Sequence, residues 1–132
     1  METRIVKDAI TRAELRALAH EQYGGAPVSK ERWHTLSLAD QLGNIGSEVG
    51  RARTWQGKDE KSFWGAVSRA LELLDLTQAD PRWKARRHEI NRMRESFADA
   101  VLGGKEYGST LQDLENYCMP FALVSMRRRM GA

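Results

Sequence analysis

Apolar residues between positions 38 and 124 recur at the three- and four-residue spacings of an α-helix, and no strand-turn-strand pattern competes with them. The clearest stretch is Leu38, Leu42, Ile45, Val49 and Ala52, which falls on one face of a helix opened by Ser37-Leu38-Ala39-Asp40, a sequence resembling a capping box, and running to about Gln56. After Gly57-Lys58-Asp59 the pattern predicts a second long helix from about Glu60 to Ala79, with Phe63, Val67, Ala70, Leu71, Leu74 and Thr77 turned inward. Asp80-Pro81 ends it, because the residue before a proline resists the helical region, and Pro81 can serve as the first residue of the next helix. That third helix is predicted to reach about Leu102, with Trp83, Ile90, Met93, Phe97 and Val101 on its apolar face and Gly103-Gly104 as its stop. Ser109 or Thr110 caps a last helix in which Leu111, Leu114, Tyr117, Cys118, Phe121 and Val124 are the candidates for burial. Pro120 either kinks that helix or divides it, and Arg127 to Arg129 crown its C-terminus, where cations complement the helix dipole.

Ahead of this body, Thr3, Ile5, Val6 and Ile10 suggest a short extended arm. Thr11-Arg12-Ala13-Glu14 is a capping box that opens a short helix to about Gln22, ended by Gly24, Gly25 and Pro27. Ser29 to Trp33 reads as a helix start or turn. The expected architecture is therefore all-α: an arm and short helix over residues 1–28, then an up-and-down four-helix bundle over residues 29–132, its helices antiparallel because the connections are only about four to seven residues long. Gly43, Gly46 and Gly50 recur on the helix of Leu38, and each costs about 1 kcal/mol of helix propensity relative to alanine. Close approach of another helix is the first explanation for them, a kink or break the second, and a ligand against the bare backbone the third.

Composition narrows the class. A chain of 132 residues with 41% hydrophobic residues suits one domain with one core. Charged residues make up 30%, and no uninterrupted apolar run approaches the roughly 20 residues of a membrane-spanning helix. Met1 to Ile10 carries Glu2, Arg4, Lys7 and Asp8 and lacks the apolar core of a secretory signal, so a cytoplasmic location without membrane association is expected. The single cysteine, Cys118, permits no intramolecular disulfide and reads as a buried thiol.

Charge adds a candidate chemistry. The formal net charge is only +3, but Arg82, Lys84, Arg86, Arg87, Arg92 and Arg94 stand against the single acid Glu89, and Arg127, Arg128 and Arg129 follow at the end. Such clusters can hold an anionic partner, although solvated helix surface is the commoner role of arginine-rich faces. Arg87 and Arg94, seven residues apart, are the best-aligned pair. Trp33, Trp55, Trp64 and Trp83 could stack bases where arginines flank them, as at Trp55 and Trp83, or simply pack.

Other chemistries find less support. A two-metal bundle needs paired Glu-x-x-His motifs, and only Glu31 and His34 have that spacing; His20 and His88 lack the upstream glutamate. An all-α nucleotide pyrophosphohydrolase would need an acidic set of which Glu48, Glu72 and Asp75 are the remnant, with Asn44 and Arg51 where further carboxylates are wanted. Arg82 and His88 have the spacing of the helical ribonucleases of the HEPN type, but Trp83 stands where a polar residue commonly follows the arginine, and the segment is rich enough in arginine to produce the pair by chance.

The stretch from Trp33 to about Val124 carries two distinctive words, His34-Thr35-Leu36-Ser37-Leu38-Ala39-Asp40-Gln41-Leu42 and Ala70-Leu71-Glu72-Leu73-Leu74-Asp75-Leu76-Thr77. With these it resembles a group of uncharacterised prokaryotic helical proteins. In length, helix order and basic character it is more remotely similar to the four-helix-bundle proteins encoded in ribosomal RNA intervening sequences and to the accessory variability proteins of diversity-generating retroelements. That resemblance implies a basic homo-oligomer, typically a pentamer, that binds nucleic acid and partners a reverse transcriptase; it implies no catalytic residue and no cofactor. The sequence thus leads to a non-enzymatic nucleic-acid-binding accessory or scaffold protein, RNA being the first candidate ligand. Arg82, Lys84, Arg86, Arg87, Arg92, Arg94, Arg127, Arg128 and Arg129 are its candidate phosphate contacts. A magnesium-dependent hydrolase and a purely structural adaptor are the alternatives.

Overall fold

The computed structural model describes residues 28–131. The expected arm and the helix opened by Thr11 lie outside the described residues. Within them the chain is helical: α1 is Lys30–Trp33, α2 Leu38–Trp55, α3 Glu60–Gln78, a 3-10 turn spans Pro81–Arg86, α4 is Arg87–Val101 and α5 Leu111–Arg129. Side chains fix the starts. Ser29, Ser37, Asp59 and Thr110 each accept a hydrogen bond from the backbone amide three residues on, satisfying a donor that the first turn would otherwise leave unpaired.

Packing joins α2 to α5 and α3, α3 to α4, and α4 to α5. Contacts along each pair set the directions. Gly43, Gly46 and Gly50 of α2 face Ala122, Cys118 and Glu115 of α5 in reverse order, so these two helices are antiparallel. Gln41 at the start of α2 bonds Asp80 just past the end of α3, which makes that pair antiparallel too. Glu89 near the start of α4 meets Tyr117, whereas Asp99 near its end meets the segment before α5, so α4 and α5 are also antiparallel. It follows that α4 runs against α3.

The core lies where these faces meet. Ile45, Val49, Val67, Leu71, Leu74 and Phe97 are completely buried, with Leu42, Phe63, Met93, Leu111 and Leu114 packed around them. Each such large side chain removed from water contributes about 1.5–3 kcal/mol. The apolar stripes expected for α2 and α3 are the ones observed, save that Leu38 is half-buried. Two expectations need correction. The third long helix does not begin at Pro81: the chain passes through the 3-10 turn with a kink at Trp83 (φ −102°, ψ 24°), and regular helix starts only at Arg87. In α5, Tyr117 and Val124 are exposed and Phe121 is half-buried, while Ser125 is buried instead. Pro120 does not divide α5, which continues through it.

The rotation of α5 follows from the glycines of α2. A Cβ on Gly46 would lie 2.6 Å from the Cys118 Cβ, and one on Gly43 would lie 3.1 Å from the Ala122 Cα, so the helices touch nearly backbone to backbone at this seam. Close approach is the explanation the glycine spacing suggested first. It places Cys118 against Gly46 and buries its thiol, whose pKa desolvation pushes up to about 12, an inert state for a thiol. The α4–α5 connection, residues 102–110, is longer than expected, and Asp99 organises it by accepting the amides of Glu106, Tyr107 and Ser109 at 2.8, 3.1 and 3.1 Å.

This seam makes a direct prediction. Gly46→Ala should lower stability by about 1 kcal/mol net, because overpacking against Cys118 outweighs the gain in helix propensity. Gly65 has nothing within 4 Å of its would-be Cβ, so Gly65→Ala should raise stability by about 1 kcal/mol. Thermal or urea unfolding of the two variants checks both signs.

Candidate nucleic-acid interface

The end of the protein where α2 starts and α3 stops is organised around one carboxylate. Asp80 is fully buried and accepts hydrogen bonds from the Arg82 Nε at 3.1 Å, the Arg82 Nη2 at 2.7 Å, the Arg82 backbone amide at 3.0 Å and the Gln41 Nε2 at 3.1 Å. The side chain of Gln41 is equally committed: its Nε2 also donates to the Trp33 carbonyl at 2.8 Å, and its Oε1 accepts from the Trp83 indole at 2.7 Å. Arg82 continues the chain of bonds to the Leu36 carbonyl at 2.6 Å, with its guanidinium 4.5 Å from the centre of the Trp83 ring. Trp33 donates to the Thr77 hydroxyl at 3.0 Å, and the His34 Nε2 lies 2.9 Å from the Leu76 carbonyl. Hydrogen bonds from Arg82 in particular hold the Asp80 carboxyl far below the usual carboxylate range, against the opposing effect of burial. Asp80 therefore ties the 3-10 turn to α2, and Gln41 carries the connection on to α1.

Around this hub the positive charge collects. Lys84, Arg86 and Arg87 follow directly from Arg82 and are exposed. The last turn of α5 arrives at the same end, because α5 runs against α2: Ser125 donates a hydrogen bond to Asp40 in the first turn of α2, and that bond, with the Ser37 hydroxyl and amide and the charge of Arg129, keeps the Asp40 carboxyl low despite its desolvation. Arg127, Arg128 and Arg129 are exposed there. Lys30 and Arg32 of α1, both exposed, join the same end through the bond from Gln41 to Trp33. The fold thus brings to one end of the protein two clusters that lie some forty residues apart in the sequence.

Two of the sequence-selected cations stand apart from this group, and a third is occupied within it. Arg82 lies in it but is spent on Asp80 and Leu36. Arg94 is buried at 5% exposure, its Nε donating to the Asp75 Oδ1 at 2.8 Å, so the seven-residue alignment with Arg87 does not put the two on one surface. The reason is legible after the fact: Arg94 sits four residues after Ile90 and three before Phe97, on the inward side of α4. Arg92 is exposed but lines an open cleft of about 570 Å³ between α4 and α5, with His88, Asp113 and Tyr117.

The acidic residues are also dispersed into separate roles. Glu48 pairs with Arg51 at 2.8 Å, Glu72 accepts the Val28 amide at 2.7 Å, and Asp75 holds Arg94. Among the described residues no group of three or more His, Cys, Asp or Glu side chains is placed to hold a metal ion. His34 is engaged with a backbone carbonyl, and Arg82 and His88 have diverged, the one locked on Asp80 and the other lining the cleft. No helix among the described residues is long and apolar enough to cross a membrane. No family model, curated protein or solved structure was found to match the chain.

Sequence inspection overlooked Gln41 and read Asp80 only as a helix end. Gln41 carried a usable signal, since it is a polar residue inside the stripe of Leu38, Leu42 and Ile45, where it can stay only if fully bonded. Asp80→Asn should destabilise the protein by about 2 kcal/mol, less than the loss for a fully buried pair because Arg82 is partly in solvent. The sign with pH is fixed: a depressed carboxyl contributes stability that is present above its unfolded pKa of about 3.9 and is lost as pH falls towards the folded value. The difference between wild type and Asp80→Asn, measured by urea unfolding, should accordingly narrow below about pH 4.

Proposed function

We propose that the four long helices form an up-and-down bundle and that its arginine-rich end binds nucleic acid, RNA in the first place, in a non-enzymatic accessory or scaffold role. The observation that carries the reading is the convergence of Lys84, Arg86 and Arg87 with Arg127, Arg128 and Arg129 at one end of antiparallel helices. Of these, Arg86 faces Glu89 at 3.5 Å, but both side chains are more than half exposed, so water and salt leave that pair weak and the guanidinium available to a phosphate. Lys30 and Arg32 extend the surface. Arg82 serves it indirectly, by fixing the turn from which Lys84 to Arg87 project.

A polyanion offers several phosphates at regular spacing, which suits cations presented from separate helix ends better than one compact anion does. Arginine adds bidentate geometry toward phosphate oxygens. The resemblance to retroelement accessory proteins extends the proposal to a nucleoprotein partner such as a reverse transcriptase, in which RNA and protein surfaces would be met together.

Fluorescence anisotropy with a labelled single-stranded RNA tests the reading. Affinity should fall with salt by about 0.7 log units per log unit for each phosphate contacted. Replacing Arg86, Arg87 and Arg128 together with alanine should weaken binding about tenfold or more and flatten that slope. The paired change Arg51→Ala and Arg53→Ala, at the opposite end of α2, should leave it unchanged. Salt-insensitive binding, or equal losses from both sets, would count against the arginine-rich end.

A further inference from the structure

The cleft between α4 and α5, about 570 Å³ in volume, has the size of a small-molecule site. Its floor is apolar: Met93 of α4 and Leu114 of α5 are each 8% exposed. One side is aromatic. The Tyr117 ring is 42% exposed yet held in two places, its hydroxyl donating to the Glu89 Oε1 at 3.2 Å and its ring centre lying 6.0 Å from that of Phe121. Burial and the Glu89 charge raise the Tyr117 pKa, so the phenol keeps its proton for that bond. An exposed aromatic fixed in this way suits an apolar ligand, because little rotamer freedom is left to lose.

The walls carry opposite charges that the fold does not use. Arg92 stands on α4 and Asp113 on α5, both exposed, and among the described residues neither side chain has a hydrogen bond or an ion pair. By contrast Glu89, also in the lining, is taken up by Tyr117 and Arg86. His88 lies on the Arg92 wall, one helical turn earlier. An anion alone would meet Arg92 but leave Asp113 facing it, and a cation alone would meet the reverse. A molecule that carries both charges satisfies each wall.

We infer that the cleft is a binding site for a free α-amino acid with a large apolar side chain. Its carboxylate pairs with Arg92, which offers two parallel N–H donors, and its ammonium pairs with Asp113. The side chain lies over Met93 and Leu114 against Tyr117, where the thioether of Met93 favours an aromatic ring in particular. These three groups leave one carbon in three directions, matching one cationic wall, one anionic wall and one apolar floor. The inference uses none of the cations assigned to RNA and does not depend on that reading.

Nuclear magnetic resonance titration of the full chain, isotope-labelled, with L-phenylalanine is the test. Saturable shifts at Arg92, Asp113 and Tyr117 are expected, with a dissociation constant of about 1 mM or tighter. N-acetylphenylalanine, which lacks the ammonium, and phenylalanine amide, which lacks the carboxylate, should each bind about tenfold more weakly. Asp113→Asn should abolish the first discrimination and Arg92→Gln the second, a reciprocal pattern that general damage to the fold does not produce. Glycine, with no side chain for the floor, should also bind about tenfold more weakly. No saturable shift in the cleft, equal binding of phenylalanine and its amide, or affinities unchanged in both variants would overturn the proposal.

Discussion

Asp80 is a carboxylate without solvent, and a buried charge is stable only where partners replace its water. Here the partners come from both sides of the chain: the Arg82 fork two residues on and the Gln41 amide from α2. Satisfying that charge imposes much of the local architecture. The guanidinium reaches back across Pro81 to Asp80 within the 3-10 turn, which, with the kink at Trp83, stands where the apolar spacing suggests regular helix. The same turn determines where Lys84, Arg86 and Arg87 emerge. Structural charge and surface charge are thus adjacent in sequence but opposite in role, one arginine neutralised so that its neighbours can be displayed.

The seam between α2 and α5 supplies the other half of the arrangement. Gly43 and Gly46 give up helix propensity in exchange for near contact of two backbones, with Ala122 and Cys118 completing the fit. That fit sets the rotation of α5 about its axis, hence which of its apolar residues go inside. It also sets the height of α5, so that Arg127 to Arg129 finish beside the first turn of α2 and near the Asp80 hub. Dispersion and apolar burial hold the centre, while the polar bonds select this one packing at the end where the charge is exposed.

Much of this was legible in the sequence because α2 and α3 obey a simple periodicity. Their stripes, from Leu42 to Ala52 and from Phe63 to Thr77, have one apolar side each, and Ser37 and Asp59 cap their starts. The glycines also announced a close helix contact. In α5, apolar side chains occupy more than one side, so spacing could not say that Ser125 goes inside while Val124 stays out; only the α2 glycine seam decides it. Nor could charge counting separate Arg82 and Arg94 from Arg86 and Arg87, since all are arginines in one segment. Their fates depend on Asp80 and Asp75, acids on the other side of the turn. The arginine cluster was visible as composition, but its union with Arg127 to Arg129 required knowing that α5 returns to the start of α2.

The central claim is that cations from two distant parts of the chain act as one surface at the Asp80 end. Nuclear magnetic resonance titration of isotope-labelled protein with a short single-stranded RNA measures this residue by residue. The account expects salt-sensitive shift changes confined to Lys84, Arg86, Arg87 and Arg127 to Arg129, with the Trp55 indole and the amides around Arg51 unmoved. Changes centred on Trp55 and Arg51, or none at any RNA concentration, would contradict it.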